Sequence, residues 1–179
     1  MKQHTLRTKD NIKIAINYYN RKNDSVVIIC PGWFMTKDSK PFKNIAMELI
    51  KYFDVISMDF RGHGKSSGLY TFTSKEELDL KAVTDFAKSK NYKNIYLIGF
   101  SLGGALVLIH GANSDNKISK IIAVSAPTNF YKIENRMYSP NAWIPTLFQK
   151  FEPLRWLSIR PGNPFNKKIN PIDIVNEIQ

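Results

Sequence analysis

Four short runs of mostly apolar residues constrain the fold of this chain more than any other feature. They occupy residues 26–30, 55–59, 95–99 and 118–124. Runs of this length without regular polar alternation are typical of strands that are buried on both faces, as in parallel sheets. The stretches between them carry apolar residues three and four apart, which is helical spacing. This alternation predicts an α/β fold, with a mostly parallel sheet and helices on both of its faces.

The helices are predicted at residues 42–52, 74–87 and 102–110. The second of them is expected to start at Thr73-Ser74, with Glu76 and Glu77 in its first turn. Side-chain oxygens and carboxylates at such positions satisfy or stabilise the free N–H groups of a helix N-terminus.

The two ends of the chain follow other patterns. Residues 5–18 alternate apolar and polar side chains around a turn and predict an N-terminal hairpin. Beyond Pro127, aromatic residues and prolines mix without a period. We therefore expect an α/β core over residues 1–127, a partly helical cap over 128–170, and the start of a helix that returns to the core over 171–179. Ordinary packing of the cap aromatics onto the sheet is the alternative to a cap over a site.

Composition excludes several classes of protein. The 26 Lys and Arg residues against 15 Asp and Glu give a net charge of +11, yet they are dispersed among polar positions that we expect at the surface, Lys37 and Lys168 included. Without a basic cluster, nucleic-acid binding is not favoured. No apolar run approaches the roughly 20 residues of a membrane span, and the N-terminus lacks the apolar stretch of a secretory signal. We expect a cytoplasmic protein in which the single cysteine, Cys30, is a core thiol.

The sharpest motif is the G-x-S-x-G pattern Gly99-Phe100-Ser101-Leu102-Gly103, followed by Gly104. It lies directly after a predicted strand and opens a predicted helix, which is the setting of a nucleophile elbow. Small residues at Gly99 and Gly103 let backbones pass closely, so that Ser101 can project from the turn. The N–H of Leu102 would point toward a developing oxyanion. A glycine-rich turn with a capping serine is the alternative reading.

Three blocks in order resemble the α/β-hydrolase superfamily, in the branch of serine aminopeptidase-like and small esterase-like proteins. They are the strand ending in Pro31-Gly32-Trp33, the segment from Asp59 to Ser66, and the elbow. The resemblance implies that Ser101 is an acyl-forming nucleophile and that the backbone N–H groups of Trp33 and Leu102 hold the oxyanion. It implies a small ester-like substrate, with amides or thioesters as further options, and neither a cofactor nor a metal.

The remaining triad members are expected to be missing. In the family an acid and then a histidine follow the serine on loops after two later strands, and this chain is expected to stop before them. His110 is on the wrong side of its helix, and His4 is in the first strand. His63 is the one conceivable base, although the loop that carries it resembles a structural feature of the family. The nearest substitutes for the acid are Glu134 and Asp173.

Two functions therefore stay open at this point. The first is a serine hydrolase with weak or absent turnover. The second is a non-catalytic binding module, or the fragment of an interrupted gene. In either case the strand at residues 118–124 would form an apolar sheet edge that a homodimer or a partner chain could cover.

Overall fold

The computed structural model describes residues 1–113, 115, 117–130, 159–163 and 166–174. Its strands are β1 Lys2–Arg7, β2 Lys13–Tyr19, β3 Ser25–Cys30, β4 Asp54–Met58, β5 Asn94–Phe100 and β6 Lys120–Val124. Its helices are α1 Lys40–Leu49, α2 Glu76–Lys88 and α3 Leu102–Gly111, followed by a 3-10 turn at Pro171–Asp173.

The strands form one six-stranded sheet in the order β1-β2-β4-β3-β5-β6. β3 runs parallel to both β4 and β5, and β6 runs parallel to β5. β1 and β2 are the antiparallel hairpin, and β2 also pairs antiparallel with β4. The predicted α/β architecture and N-terminal hairpin are confirmed.

β3 is apolar from Val26 to Cys30 because its alternate residues pack into two different core clusters. Ile28 and Cys30 join the larger core cluster with residues of α2 and α3, whereas Val27 and Ile29 join a second cluster with residues of α1. Both faces of the central strand are therefore covered by helices. Because parallel strands end on the same side, the loops after β3, β4 and β5 meet at one edge of the sheet.

The start of α2 differs from the prediction. The helix begins at Glu76, and no side chain caps its N-terminus. Thr73 is buried instead, and its hydroxyl donates to the carbonyl oxygen of Ile169 at 3.2 Å. The carboxylate of Glu76 accepts the backbone N–H of Thr71 at 2.6 Å. These bonds hold the segment before the helix in a turn, so the helix starts later.

The expectation of a surface position was wrong for two lysines. Lys37 is 1% exposed because its ammonium group has the carboxylates of Asp38 and Asp59 as partners. Lys168 is also buried, with its ammonium nitrogen 5.7 Å from the centre of the Phe72 ring.

Most of the expected cap lies outside the described residues, as do Trp143, Phe148, Phe151 and Trp156. Residues 159–163 pair with the stretch that follows β4: Ile159 forms an isolated bridge with His63, and Pro161 forms one with Tyr70. The N–H of Arg160 donates to Gly62, and the N–H of Tyr70 donates to Arg160, both at 2.8 Å. The three-region division stays a prediction. Within the described residues no helix is long and apolar enough to cross a membrane. The cytoplasmic location stays a prediction.

Candidate active site

Ser101 stands between β5 and α3 in a backbone conformation that few residues other than glycine adopt. Its φ is 50° and its ψ is −117°. Its N–H donates to the carbonyl oxygen of Val124 at 2.8 Å, and its carbonyl accepts the N–H of Ala105 at 3.1 Å. Such strain costs of order 1–3 kcal/mol and persists only where the surroundings enforce it. The side chain of Ser101 is consequently exposed at the end of the sheet.

Two glycines of the motif make this turn sterically possible. A Cβ on Gly99 would lie 2.2 Å from the carbonyl oxygen of Gly103. A Cβ on Gly103 would lie 2.2 Å from the carbonyl oxygen of Cys30. These contacts are far inside van der Waals distance, so the start of α3 can pack against the end of β3 only with glycine at both positions.

The loop that follows β3 reaches the same point. Cys30 is paired with Gly99 across the two strands, and a Cβ on Gly32 would lie 3.2 Å from the Cβ of Ser101. Within the described part of the chain, the backbone N–H groups of Trp33 and Leu102 donate to no other residue. Two free donors thus flank the serine, on the loop after β3 and at the first position of α3.

An aromatic group adjoins this loop. The ring of Trp33 lies with its centre 4.3 Å from that of Phe34, 6.1 Å from that of Tyr70 and 6.3 Å from that of Phe72. The indole nitrogen of Trp33 is buried and has no hydrogen-bond acceptor among the residues that the structure describes. The loop therefore has an apolar side as well as free donors.

No base contacts the serine within the described residues. The hydroxyl of Ser101 has no hydrogen-bond partner there. His63 is 1% exposed, its Nδ1 lies 3.1 Å from the carbonyl oxygen of Arg61, and its ring packs edge-on against Tyr70 at 5.2 Å. Burial lowers the pKa of His63, which favours the neutral ring. The loop that carries His63 follows β4, and β3 lies between β4 and β5 in the sheet.

The other histidines hold structural positions. His110 is buried, with Nε2 3.2 Å from the hydroxyl of Thr84 and Nδ1 3.0 Å from a carboxylate oxygen of Glu77. His4 lies on the edge strand β1, and its ring centre is 5.5 Å from that of Phe86.

Among the described residues, neither Cys30 nor Asp173 forms a hydrogen bond with the serine. Burial raises the pKa of the Cys30 thiol far above its usual range, so it stays protonated. Asp173 accepts a hydrogen bond from the side chain of Asn170 at 2.9 Å, and Glu134 lies outside the described residues. Among the residues that the structure describes, no three His, Cys, Asp or Glu side chains form a group that could hold a metal ion.

Sequence reasoning missed a buried charge network on the loop after β4. The Arg61 guanidinium contacts Asp79 at 2.7 Å and Asp10 at 2.7 Å. Asp59 accepts two backbone N–H groups, from Lys37 at 2.7 Å and from Lys65 at 3.0 Å. The available signal was Asp59, a charged residue directly after a buried strand, because a carboxylate that is buried there needs hydrogen-bond partners.

A family model described as the alpha/beta hydrolase fold matches residues 25–152, which include the loop after β3 and the whole elbow. The chain belongs to the α/β-hydrolase family. The suspected resemblance is confirmed by this match.

Solved structures of α/β-hydrolases agree. An esterase from Pyrococcus furiosus superposes with a TM-score of 0.77 at 28% sequence identity, covering 99% of this chain and 65% of the esterase. A serine hydrolase homologue from Coxiella burnetii has a TM-score of 0.63 at 25% identity, covering 72% of this chain and 64% of that one.

One curated protein of similar sequence is also described as a hydrolase. A Drosophila melanogaster protein described as a probable serine hydrolase is 26% identical over 115 residues, which cover 62% of this chain and 34% of that protein. This α/β-hydrolase chain thus spans about a third of the curated relative and about two thirds of the solved esterase.

Proposed function

We propose that this chain is a serine hydrolase of carboxylic esters that acts through an acyl-enzyme at Ser101. The observation that carries the proposal is the enforced positive φ of Ser101 over its glycine cradle. Strained strand-to-helix turns of this kind expose a nucleophilic serine at the end of an α/β sheet. The esterase and serine hydrolase names of the relatives support the same chemistry.

The free N–H groups of Trp33 and Leu102 are assigned to the oxyanion. When the Ser101 oxygen attacks an ester carbonyl, negative charge develops on the carbonyl oxygen, and fixed donors lower the free energy of that state. Gly99 and Gly103 allow the two donors to come close to the serine. Amides and thioesters pass through the same tetrahedral intermediate and are further substrates of this class.

Turnover by this chain is proposed to be weak or absent. The hydroxyl of Ser101 has no hydrogen bond with a base among the described residues, and Nδ1 of His63 lies 3.1 Å from the carbonyl oxygen of Arg61. Loss of a triad member leaves about 10³- to 10⁴-fold acceleration over water from binding and the oxyanion hole. A chain of this kind binds esters and hydrolyses them slowly.

Covalent labelling tests the proposal. A fluorophosphonate probe should modify the folded chain slowly, and mass spectrometry should place the adduct on Ser101. Ser101→Ala should take no label, whereas Ser125→Ala, which removes a serine at the end of β6, should label like the wild type. A label on another residue, or equal labelling of Ser101→Ala, contradicts the assignment. A folded chain without any label favours the non-catalytic binding module.

We propose in addition that a second copy of this chain covers the outer edge of β6. Among the described residues that edge pairs with no strand, and Ile122 is 57% exposed. Antiparallel pairing centred on Ile122 would place Lys120 opposite Val124, so that no like charges face each other. Apolar sheet edges of this kind pair readily with further strands.

A further inference from the structure

We propose that Lys37 and Asp59 are positioning residues, a buried ion pair that holds the loop carrying Trp33 in place beside Ser101. The inference rests on the proposed function, because it concerns the oxyanion donors of that reaction. The Trp33 loop comprises residues 31–37, and the loop after β4 comprises residues 59–68. Both lie at the edge of the sheet where Ser101 stands.

One carboxylate joins the two loops. The side chain of Asp59 is closed to solvent, and both of its oxygens are used. Oδ1 accepts the N–H of Lys37 at 2.7 Å, while Oδ2 accepts the N–H of Lys65 at 3.0 Å. A Cβ on Gly64 would lie 2.5 Å from Oδ2, so the loop after β4 closes tightly around this carboxylate. Hydrogen bonds to an ionised acceptor are shorter and stronger than those between neutral groups.

The charge of Lys37 favours the ionised form of that acceptor. Its ammonium nitrogen lies 3.6 Å from Asp59 and 2.5 Å from Asp38. Burial raises the pKa of Asp59, and the charge of Lys37 opposes this shift. Without the cation, the buried carboxylate would take up a proton more readily, and its protonated oxygen would accept an N–H group less strongly.

Lys37 of the Lys37–Asp59 pair, which we call the clamp, is close enough in the chain to Ser101's neighbour Trp33 to affect the serine site. Gly32 lies against the Ser101 side chain, and its carbonyl accepts the N–H of Met35 at 3.1 Å. That turn leads directly into Lys37, so a shift at Lys37 is transmitted through a short, hydrogen-bonded stretch to the Trp33 N–H. Oxyanion donors act only when they lie about 2.7–3.1 Å from the developing charge.

Two substitutions test the clamp, each with a matched surface control. Lys37→Met and Asp59→Asn break the buried pair, whereas Lys81→Met and Asp85→Asn break an exposed pair of the same residue types on α2. Hydrogen exchange should accelerate at least tenfold in both loops of the first two variants, with β3 and β5 unchanged. The control variants should exchange like the wild type.

Labelling kinetics separate positioning from mere stability. In folded Lys37→Met and Asp59→Asn, the maximal rate of fluorophosphonate labelling at Ser101 should fall about tenfold while the probe concentration for half-maximal rate stays constant. The inference is overturned if hydrogen exchange in the two loops of these variants does not accelerate. It is also overturned if exchange accelerates while the maximal labelling rate at Ser101 stays unchanged. If the wild type takes no label, the proposed function fails, and the exchange result alone decides whether the pair holds the loop.

A measurement on the unaltered protein covers the case in which the variants do not fold. The amides of Lys37 and Lys65 are 28 residues apart and are bonded to the same carboxylate. They should therefore exchange at matching protection factors, because release of Asp59 opens both. Protection factors that differ by more than tenfold overturn the inference.

Discussion

At the scale of single residues, the missing side chains of Gly99 and Gly103 bring three backbone segments together beside Ser101. The end of β3, the elbow and the first turn of α3 approach to distances that no other residue type permits. The motif predicted this close approach because the pattern of small residues is itself the steric requirement.

Gly103→Ala should destabilise the protein. The new Cβ would meet the carbonyl oxygen of Cys30, which belongs to the central strand and cannot move, so the free energy of unfolding should fall by about 3 kcal/mol. The matched control is Gly111→Ala in the same helix, where the new Cβ meets only the end of the Ile121 side chain. Urea denaturation of both variants checks this. An equal loss in both would show that the contact with Cys30 is not the cause.

Asp10 should give stability that depends on acid pH. The hydrogen bonds from Arg61 lower the pKa of Asp10 from 3.8 to about 2 in the folded state. Because the folded pKa is depressed, this contribution is complete above about pH 4 and is lost as the pH falls toward 2. Wild type should therefore be more stable than Asp10→Asn at pH 7, and the difference should shrink by pH 2. A difference that is the same at both pH values contradicts the role of this ion pair.

The charged residues show where sequence reasoning stops. Lys37 and Arg61 look like any other basic residues in a chain of net charge +11, and nothing in their spacing indicates burial. Asp59 and Asp79, which pair with Lys37 and Arg61, lie 22 and 18 residues further along the chain, and only the fold brings them together. Ser101, by contrast, was found from six consecutive residues because the elbow is a local structure.

At the scale of elements, strands were predictable because burial on both faces leaves an uninterrupted apolar run. β3 and β4 follow that rule closely, whereas β5 alternates buried and half-buried residues. The start of α2 was not predictable in the same way, since Thr73 bonds with Ile169, which is remote in sequence, rather than with its own helix. A buried side chain that forms a hydrogen bond with a residue remote in sequence is no longer available to cap its own helix.

The edge of β6 should govern self-association. Ile122→Lys places a charge at the centre of the proposed pairing and should convert a concentration-dependent dimer into a monomer. Ile172→Lys, at an equally exposed apolar residue of the 3-10 turn rather than of a strand, should leave the dimer intact. Sedimentation velocity over a range of concentrations measures both. A wild-type chain that is monomeric throughout, or a dimer that survives Ile122→Lys, contradicts pairing through this edge.

At the scale of the whole molecule, the sheet brings the loops after β3, β4 and β5 to one edge, and each loop contributes different groups to the site. The loop after β3 and the start of α3 offer free donors, and the elbow presents the nucleophile. The loop after β4 contributes the buried carboxylate of Asp59 and a histidine whose Nδ1 contacts the carbonyl oxygen of Arg61 in the same loop. Presentation and activation of the serine are therefore separate properties, and the described residues of this chain supply the first.

Chemical rescue by free imidazole tests most directly whether Ser101 is presented but lacks a base that activates it. The rate of fluorophosphonate labelling at Ser101 is followed with increasing free imidazole, which can act as the base, and Ser101→Ala gives the background. The account predicts slow labelling that rises with imidazole, with the adduct confined to Ser101. Rapid labelling without imidazole, at the rate of a complete serine hydrolase, would contradict it, because a base would then already reach the serine.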